Sequence, residues 1–155
     1  YLHPGFPHDD VVKAYYEDYL DDFPAFATAG WGYTVETATQ AIRMVLSGVF
    51  DKHPKLQMIL GHMGEALPFL LWRVNQALSR VEIFEAHFHI TTSGNFSNPA
   101  LLCTVQEMGM DRIMFSVDYP FVENQPAKDW AEQLNFCLED RKKMLNGNVR
   151  KLLKL

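Results

Sequence analysis

Residues 56–67 read LQMILGHMGEAL, an apolar run that ends at Gly61-His62 and gives way to a helical pattern. Short apolar runs bounded by turn residues are typical of buried strands. Apolar residues at 67, 70, 71, 74 and 78 then recur at helical spacing, with Pro68 in the first turn, where proline is tolerated. The stretch therefore predicts a strand, a loop and a helix, with a histidine at the carboxyl end of the strand.

The same order recurs along the chain. Apolar runs at 88–92 and 112–117 are each followed by helical patterns, and the second run ends at Asp118. Tyr1-Leu2 looks like the tail of a further strand that ends at His3. Parallel strands need long crossover connections, which the helical patterns supply. We expect an α/β fold with about four parallel strands, the C-terminal half of a (β/α)₈ TIM barrel, and one partial domain over 1–155.

Two local features of this barrel can be predicted. A helix is expected from about 35 to 50, where apolar residues recur every three or four positions, and Thr34 is a plausible N-cap.

His87 and His89 alternate at the start of a predicted strand, so both side chains are expected on one side of it. In a barrel they would lie at the end opposite the catalytic face.

Composition excludes several classes of protein. The 14 Lys and Arg against 19 Asp and Glu give a net charge of -5, with no basic cluster for nucleic acid. No apolar run approaches the roughly 20 residues that a membrane helix needs. Cys103 and Cys137 are far apart in helical patterns, so a disulfide framework is not expected. A cytoplasmic protein with no nucleic-acid or membrane partner is expected.

Three strand ends carry residues suited to metal binding or proton transfer: His3, His62 and Asp118. Active sites of (β/α)₈ barrels lie at the carboxyl ends of the strands. An imidazole and a carboxylate are common ligands of zinc and manganese, so His3 and Asp118 are candidate metal ligands. The alternative is that His3 is an ordinary surface or core residue.

His62 has two candidate partners on the helix that follows it. Glu65 lies three residues later and Arg73 eight residues beyond that, so both could approach the imidazole. Such partners would fix the tautomer and raise the basicity of a proton-transfer group. The alternative is a helix N-terminal Glu65, favoured by the helix dipole, with Arg73 solvated on the outer face.

Aromatic residues could form the wall of a substrate pocket. Phe121, close to Asp118, is the strongest candidate, and Phe23 is a second. Most aromatic residues in a chain with 13% Phe, Trp and Tyr are expected to serve packing.

Six motifs of the chain are distinctive: YLHP (1–4), SGVFDKHPKL (47–56), ILGHMGE (59–65), TTSGNF (91–96), DRIMFSVDYPF (111–121) and NGNVRKLLKL (146–155). Together they resemble one enzyme family, the amidohydrolase-related metal-dependent decarboxylases, closest to its dihydroxybenzoate decarboxylases. The resemblance implies that His3 and Asp118 are metal ligands, that His62 is catalytic, and that Glu65 and Arg73 support it. It leaves open whether His62 or Asp118 donates the proton.

The resemblance also implies a reaction, non-oxidative decarboxylation of a hydroxybenzoate-type aromatic acid, with carboxylation as its reverse. One divalent metal ion, Zn²⁺ or Mn²⁺ with Mg²⁺ as a further candidate, would serve without an organic cofactor. Two more ligands would come from a missing N-terminal half-barrel, which is therefore an expected partner, and a homo-oligomer is expected. Two alternatives remain: a metal-dependent hydrolase of an ester, lactone or amide, and a non-catalytic half-barrel fragment.

Overall fold

The structure is a computed structural model that describes residues 1–79 and 81–155. Its strands are β1 (Met58–Leu60), β2 (Phe88–Thr91) and β3 (Ile113–Met114). Its helices are α1 (Asp9–Tyr15), α2 (Gly32–Leu46), α3 (Val49–Lys52), α4 (His62–Glu65), α5 (Leu67–Leu78), α6 (Val81–His87), α7 (Asn98–Met108), α8 (Asn124–Glu132), α9 (Leu138–Lys142) and α10 (Asn148–Leu153). Short 3₁₀ turns cover Glu17–Tyr19 and Met110–Arg112, and a π-helical turn covers Lys143–Gly147.

The strands form one parallel sheet in the order β1-β2-β3. In its register, Leu60 pairs with Ile90, and Ile90 pairs with Ile113. Leu2 adds an isolated parallel bridge to Leu60, so the first of the four expected strands is reduced to a single bridge. The parallel sheet with crossover helices agrees with the prediction.

Side chains alternate across β2, as a pleated strand requires. Phe88 and Ile90 face the helices and belong to the larger core cluster. The Phe88 ring centroid lies 4.7 Å from that of Phe84 and 5.3 Å from that of Phe50. A second cluster, which includes Leu101, Ile113, Leu134 and Met144, packs under α7 and the C-terminal helices. His89 and Thr91 therefore point to the opposite, inner face of the sheet.

The predicted helix over 35–50 is divided in two and begins earlier. Gly48 has a φ of 74°, a left-handed conformation that ends the path of α2 before α3 begins. At the other end Trp31, not Thr34, is the N-cap residue. The N-cap prediction was therefore wrong.

The predicted strand over 112–117 is shortened to two residues. Beyond Met114, the Phe115 backbone N–H donates to the Met144 carbonyl at 2.8 Å. The Ser116 N–H donates to Thr92 Oγ1 at 2.9 Å. Because these partners lie outside the strand ladder, β3 ends early.

His87 and His89 do not share one face, so that prediction was also wrong. His87 is the last residue of α6, where its ring stacks on Phe50 with centroids 4.8 Å apart. Its Nδ1 lies 2.8 Å from the Leu56 carbonyl oxygen, to which it donates. The strand begins only at Phe88, which leaves His89 on the inner face.

Within the described residues, no helix combines the length and the hydropathy that crossing a membrane requires.

The stacked aromatic core predicts a difference between two phenylalanines. Replacement of the fully buried Phe88 by alanine should lower the free energy of unfolding by about 3–5 kcal/mol, because the neighbouring rings cannot fill the cavity. Phe69→Ala, at a side chain that is 80% exposed, should change it by less than about 0.5 kcal/mol. Urea denaturation followed by circular dichroism measures both, and equal losses would contradict the assignment of the core.

Candidate active site

The short segment α4, which follows β1, is a left-handed turn rather than a regular α-helix, and it positions the first candidate residue. His62, Met63, Gly64, Glu65 and Ala66 have φ values of 48°, 57°, 81°, 55° and 63°. Residues other than glycine in this region cost roughly 1–2 kcal/mol each. Such strain persists only where the surroundings hold it, and it clusters at functional sites.

Gly64 allows the turn to lie close to the sheet and the next helix. A Cβ at this position would lie 2.9 Å from Pro68 Cδ and 3.1 Å from Ile90 Cδ1. The proline that begins α5 therefore packs directly against the turn. This contact fixes the positions of His62 and Glu65 relative to the sheet.

His62 and Glu65 form a hydrogen-bonded pair. His62 Nδ1 lies 2.6 Å from Glu65 Oε1, and Glu65 is only 1% exposed. The hydrogen bond to Glu65 raises the pKa of His62 above its ordinary value of 6.5; burial opposes this rise, whereas the negative charges of Glu65 and Asp118 add to it. With Nδ1 donating to Glu65, Nε2 is the nitrogen left for chemistry.

Asp118 lies on the other side of His62. Its Oδ2 atom is 3.7 Å from His62 Nε2, and both side chains are about one-third exposed. Asp118 has a φ of 79° and is a further strained residue, in the loop that follows β3. The His62 imidazole is therefore placed between two carboxylates, one buried and one open to solvent.

Hydroxyl groups hold the Asp118 loop against the loop after β2. Ser93 Oγ donates to Asp118 Oδ1 at 3.3 Å, and the Ser93 N–H donates to Ser116 Oγ at 3.0 Å. Thr92 Oγ1 donates to the Ser116 carbonyl at 2.6 Å. Sequence reasoning gave these residues no role, although the run of hydroxyl residues after a buried strand was a visible signal.

His3 is exposed and has one nitrogen suited to a metal ion. Its Nδ1 lies 2.7 Å from the Pro4 carbonyl oxygen, so Nδ1 carries the proton and Nε2 has a free lone pair. No hydrogen bond or ion pair joins His3 to His62 or Asp118 among the described residues. The described part of the chain also contains no cluster of three or more potential metal ligands. His3 and Asp118 each carry an atom that can bind a metal ion, but the described residues do not form a metal site by themselves.

The three other predicted residues differ in their relation to the His62–Asp118 pair. Arg73 is exposed on α5, and within residues 1–79 and 81–155 it makes no ion pair with Glu65, whose Oε2 is buried without a hydrogen-bond partner. The Phe121 backbone N–H donates to the Asp118 carbonyl at 2.9 Å, but the Phe121 side chain is 84% exposed. Phe23 lines a separate cavity of about 630 Å³ with Tyr15, Tyr19, Ala25, Phe26 and Gly30.

A larger cavity of about 760 Å³ borders His62. Its lining is mainly apolar, with a few polar groups, as in most small-molecule sites. The lining residues are Ala29, Thr34, His62, Met63, Ala66, Phe69, Gly94, Asn95, Pro99, Ala100 and Cys103. The cavity therefore connects the left-handed turn with the loop that supports Asp118.

The family model described as amidohydrolase matches residues 2–155. The chain belongs to the amidohydrolase family. This amidohydrolase chain is 39% identical over 168 residues to γ-resorcylate decarboxylase of Rhizobium sp. strain MTP-10005, a match that covers all of this chain and 50% of that protein. It therefore spans about half the length of the curated relatives that it matches.

Solved structures also match the whole of this chain with about half of their own length. A 2,6-dihydroxybenzoate decarboxylase complexed with 2,6-dihydroxybenzoate matches with a TM-score of 0.90 and 39% identity, over all of this chain and 50% of that one. A dihydroxybenzoic acid decarboxylase of Polaromonas sp. JS666, with bound manganese and the inhibitor 2-nitroresorcinol, matches with a TM-score of 0.90 and 37% identity. The match covers 100% of this chain and 49% of that one. The predicted half of an amidohydrolase-type (β/α)₈ barrel is thereby confirmed.

The carboxylate of Glu65 should control the pKa of His62. In the metal-free chain, Glu65→Gln should lower that pKa, because the substitution removes the largest contribution that raises it. An NMR titration of the His62 ring protons measures the change. Glu132→Gln is a suitable control, because Glu132 pairs with the distant Lys128 on α8 at 3.0 Å. An unchanged pKa in Glu65→Gln would contradict the pairing.

The same pKa has a consequence for stability. A histidine whose pKa is raised by folding stabilises the folded chain below pH 6.5, and this contribution is lost as the pH rises through the folded pKa. The free energy of unfolding, measured with urea, should therefore fall more between pH 6 and pH 9 in the wild type than in Glu65→Gln. If the free energy of unfolding changed with pH by the same amount in both proteins, the His62–Glu65 pair would contribute nothing to stability.

Proposed function

We propose that the barrel of which this chain forms half decarboxylates a hydroxybenzoate-type aromatic acid without oxidation. One observation carries the proposal: His62 bonds the buried Glu65 through Nδ1 and faces Asp118 through Nε2 at 3.7 Å. A histidine held in this way can retain a proton and release it to a substrate. The proteins of which one half matches the whole of this chain include γ-resorcylate decarboxylases.

The proposal includes one divalent metal ion. Asp118 and His3 would hold it through a carboxylate oxygen and Nε2, with the remaining ligands from the other half of the barrel. When bound, the ion would polarise the carboxylate and phenolate oxygens of the substrate. The manganese in the Polaromonas relative supports Mn²⁺ ahead of Zn²⁺ or Mg²⁺, and no organic cofactor is part of the proposal.

The chain's own residues would handle the proton. The ring carbon that bears the carboxylate takes a proton from the His62–Asp118 pair. The bond between that carbon and the carboxylate then breaks, its electron pair returns to the ring, and carbon dioxide leaves. Because the two side chains face each other, either His62 or Asp118 can be the final donor. Glu65 orients the imidazole throughout.

We also propose roles for residues outside the His62–Asp118 pair. Arg73 would support Glu65 in the complete barrel, where the unpaired Glu65 Oε2 needs a donor. Phe121 and Phe23 would contact the aromatic substrate once the other half adjoins them. The free Cys103 and Cys137 support a cytoplasmic location.

A homo-oligomer is also proposed. The Trp72 side chain is 71% exposed on α5. Exposed apolar surface of this kind commonly marks a protein contact.

Co-expression tests the proposed reaction. This chain is produced alone and together with the half of the Rhizobium enzyme that lies outside the match, and each sample receives Mn²⁺ and carboxyl-¹³C-labelled 2,6-dihydroxybenzoate. We expect only the complex to release labelled carbon dioxide, because half a barrel holds half of the ligands. In deuterium oxide, each product ring should gain one deuterium at the carbon that lost the carboxylate.

Substitutions connect this activity to the site. His62→Asn and Asp118→Asn should each lower kcat by at least about 100-fold, as removal of a general acid does. Glu132→Gln, on α8, should leave it unchanged. A complex that hydrolyses lactones and leaves the aromatic acid intact would favour the hydrolase. A formed complex with neither activity would favour a non-catalytic half-barrel.

A further inference from the structure

Gln57, His89 and Arg112 meet on the inner face of the sheet, at the amino-terminal end of the strands. His89 Nε2 lies 3.1 Å from Gln57 Oε1 and 3.1 Å from Arg112 Nη1. Arg112 Nη1 in turn donates to Gln57 Oε1 at 3.2 Å. We call these three residues the inner cluster. They lie at the opposite end of the strands from His62 and Asp118.

The inner cluster determines which nitrogen of His89 carries the proton. His89 Nε2 lies equally far from a donor, Arg112 Nη1, and an acceptor, Gln57 Oε1. We assign Nε2 as an acceptor because the charged guanidinium only donates, and its two Nη1 hydrogens can then serve Nε2 and Gln57 Oε1. Burial, together with the charges of Arg112 and Lys151, lowers the pKa of His89 to about 4, which keeps the ring neutral at pH 7. A neutral ring that accepts at Nε2 carries its proton at Nδ1.

That proton has no acceptor among the described residues. His89 is 8% exposed, and its Nδ1 is buried without a hydrogen-bond partner. Thr91, the next inward-facing residue of β2, has a buried and unpartnered Oγ1 as well. Buried polar groups in folded proteins nearly always have partners. Two such groups on one face of one strand indicate that a polar surface packs there.

We propose that the inner cluster is a contact site for the half of the barrel that this chain does not span. In this contact, His89 Nδ1–H donates to an oxygen that the other half presents, either a carboxylate or a peptide carbonyl. The relatives are about twice as long, and the whole of this chain matches half of each with a TM-score near 0.90. In a complete barrel, the inner face of these strands meets the remaining strands.

The charges of the inner cluster suit an oxygen acceptor. Arg112 and Lys151 are both cationic and act on His89. Within residues 1–79 and 81–155, Arg112 makes no ion pair with a carboxylate. A negative or dipolar oxygen from the other half would satisfy His89 and offset these charges. The contact involves none of the candidate active-site residues, so it does not depend on the proposed function.

The test uses the complex of this chain with the half of the Rhizobium enzyme outside the match, co-expressed so that neither half has to fold alone. Dissociation on dilution, followed by analytical ultracentrifugation, gives Kd. His89→Phe keeps an aromatic ring but removes the donor, and it should raise Kd by about 10-fold or more. His87→Phe, two residues away on the helical side, is the matched control and should change Kd less than about 2-fold.

A second measurement on the wild type covers the case in which His89→Phe fails to fold. Long-range ¹H–¹⁵N NMR should show His89 protonated at Nδ1, with a proton that exchanges more slowly in the complex than in the chain alone. A proton at Nε2, equal exchange rates, equal Kd values for both variants, or failure of the halves to associate would each overturn the proposal.

Salt distinguishes the two oxygen sources. If the acceptor is a carboxylate beside Arg112, Kd should rise with sodium chloride concentration, and Arg112→Gln should reduce that rise. If it is a peptide carbonyl, Kd should respond weakly to salt in both proteins. Each result identifies the oxygen that the proposal requires.

Discussion

The alternation of side chains along β2 is the constraint on which the rest of the molecule depends. β2 is the central strand of a parallel sheet and pairs with a neighbour on each side. Phe88 and Ile90 are buried against helices, whereas His89 and Thr91 face the other way and are also buried. A one-residue shift in register would exchange these two sets. Both the hydrophobic core and the polar inner face thus depend on one short strand.

The order of the elements and the places of the strands along the chain could be predicted from sequence, because apolar runs and glycine boundaries are local signals. The bounds of helix α5 and its early proline follow from the same pattern. The break at Gly48 was missed because the apolar stripe continues across it. The early end of β3 depends on the Met144 carbonyl, a partner distant in sequence, so no local pattern could indicate it.

The candidate site was predictable only in part, for a similar reason. His62 and Asp118 could be found because each follows an apolar run that forms a strand, and the loops after parallel strands converge at one edge of a sheet. The hydroxyl groups that hold Asp118 belong to a neighbouring unit, and their role appears only when the two loops meet. Helical spacing suggested that Arg73 approaches Glu65, but the two make no ion pair within residues 1–79 and 81–155, so that role stays a prediction.

The left-handed turn from His62 to Ala66 also bears on how this protein can change over evolution. Four of its five residues have a side chain in a conformation that favours glycine. A glycine substitution at the exposed Ala66 would relieve backbone strain with little loss of packing, but it would also widen the range of positions open to His62. Stability and precise placement of the imidazole therefore favour different residues at the same position. Selection for a more stable chain and selection for a better-ordered site would act in opposite directions on this turn.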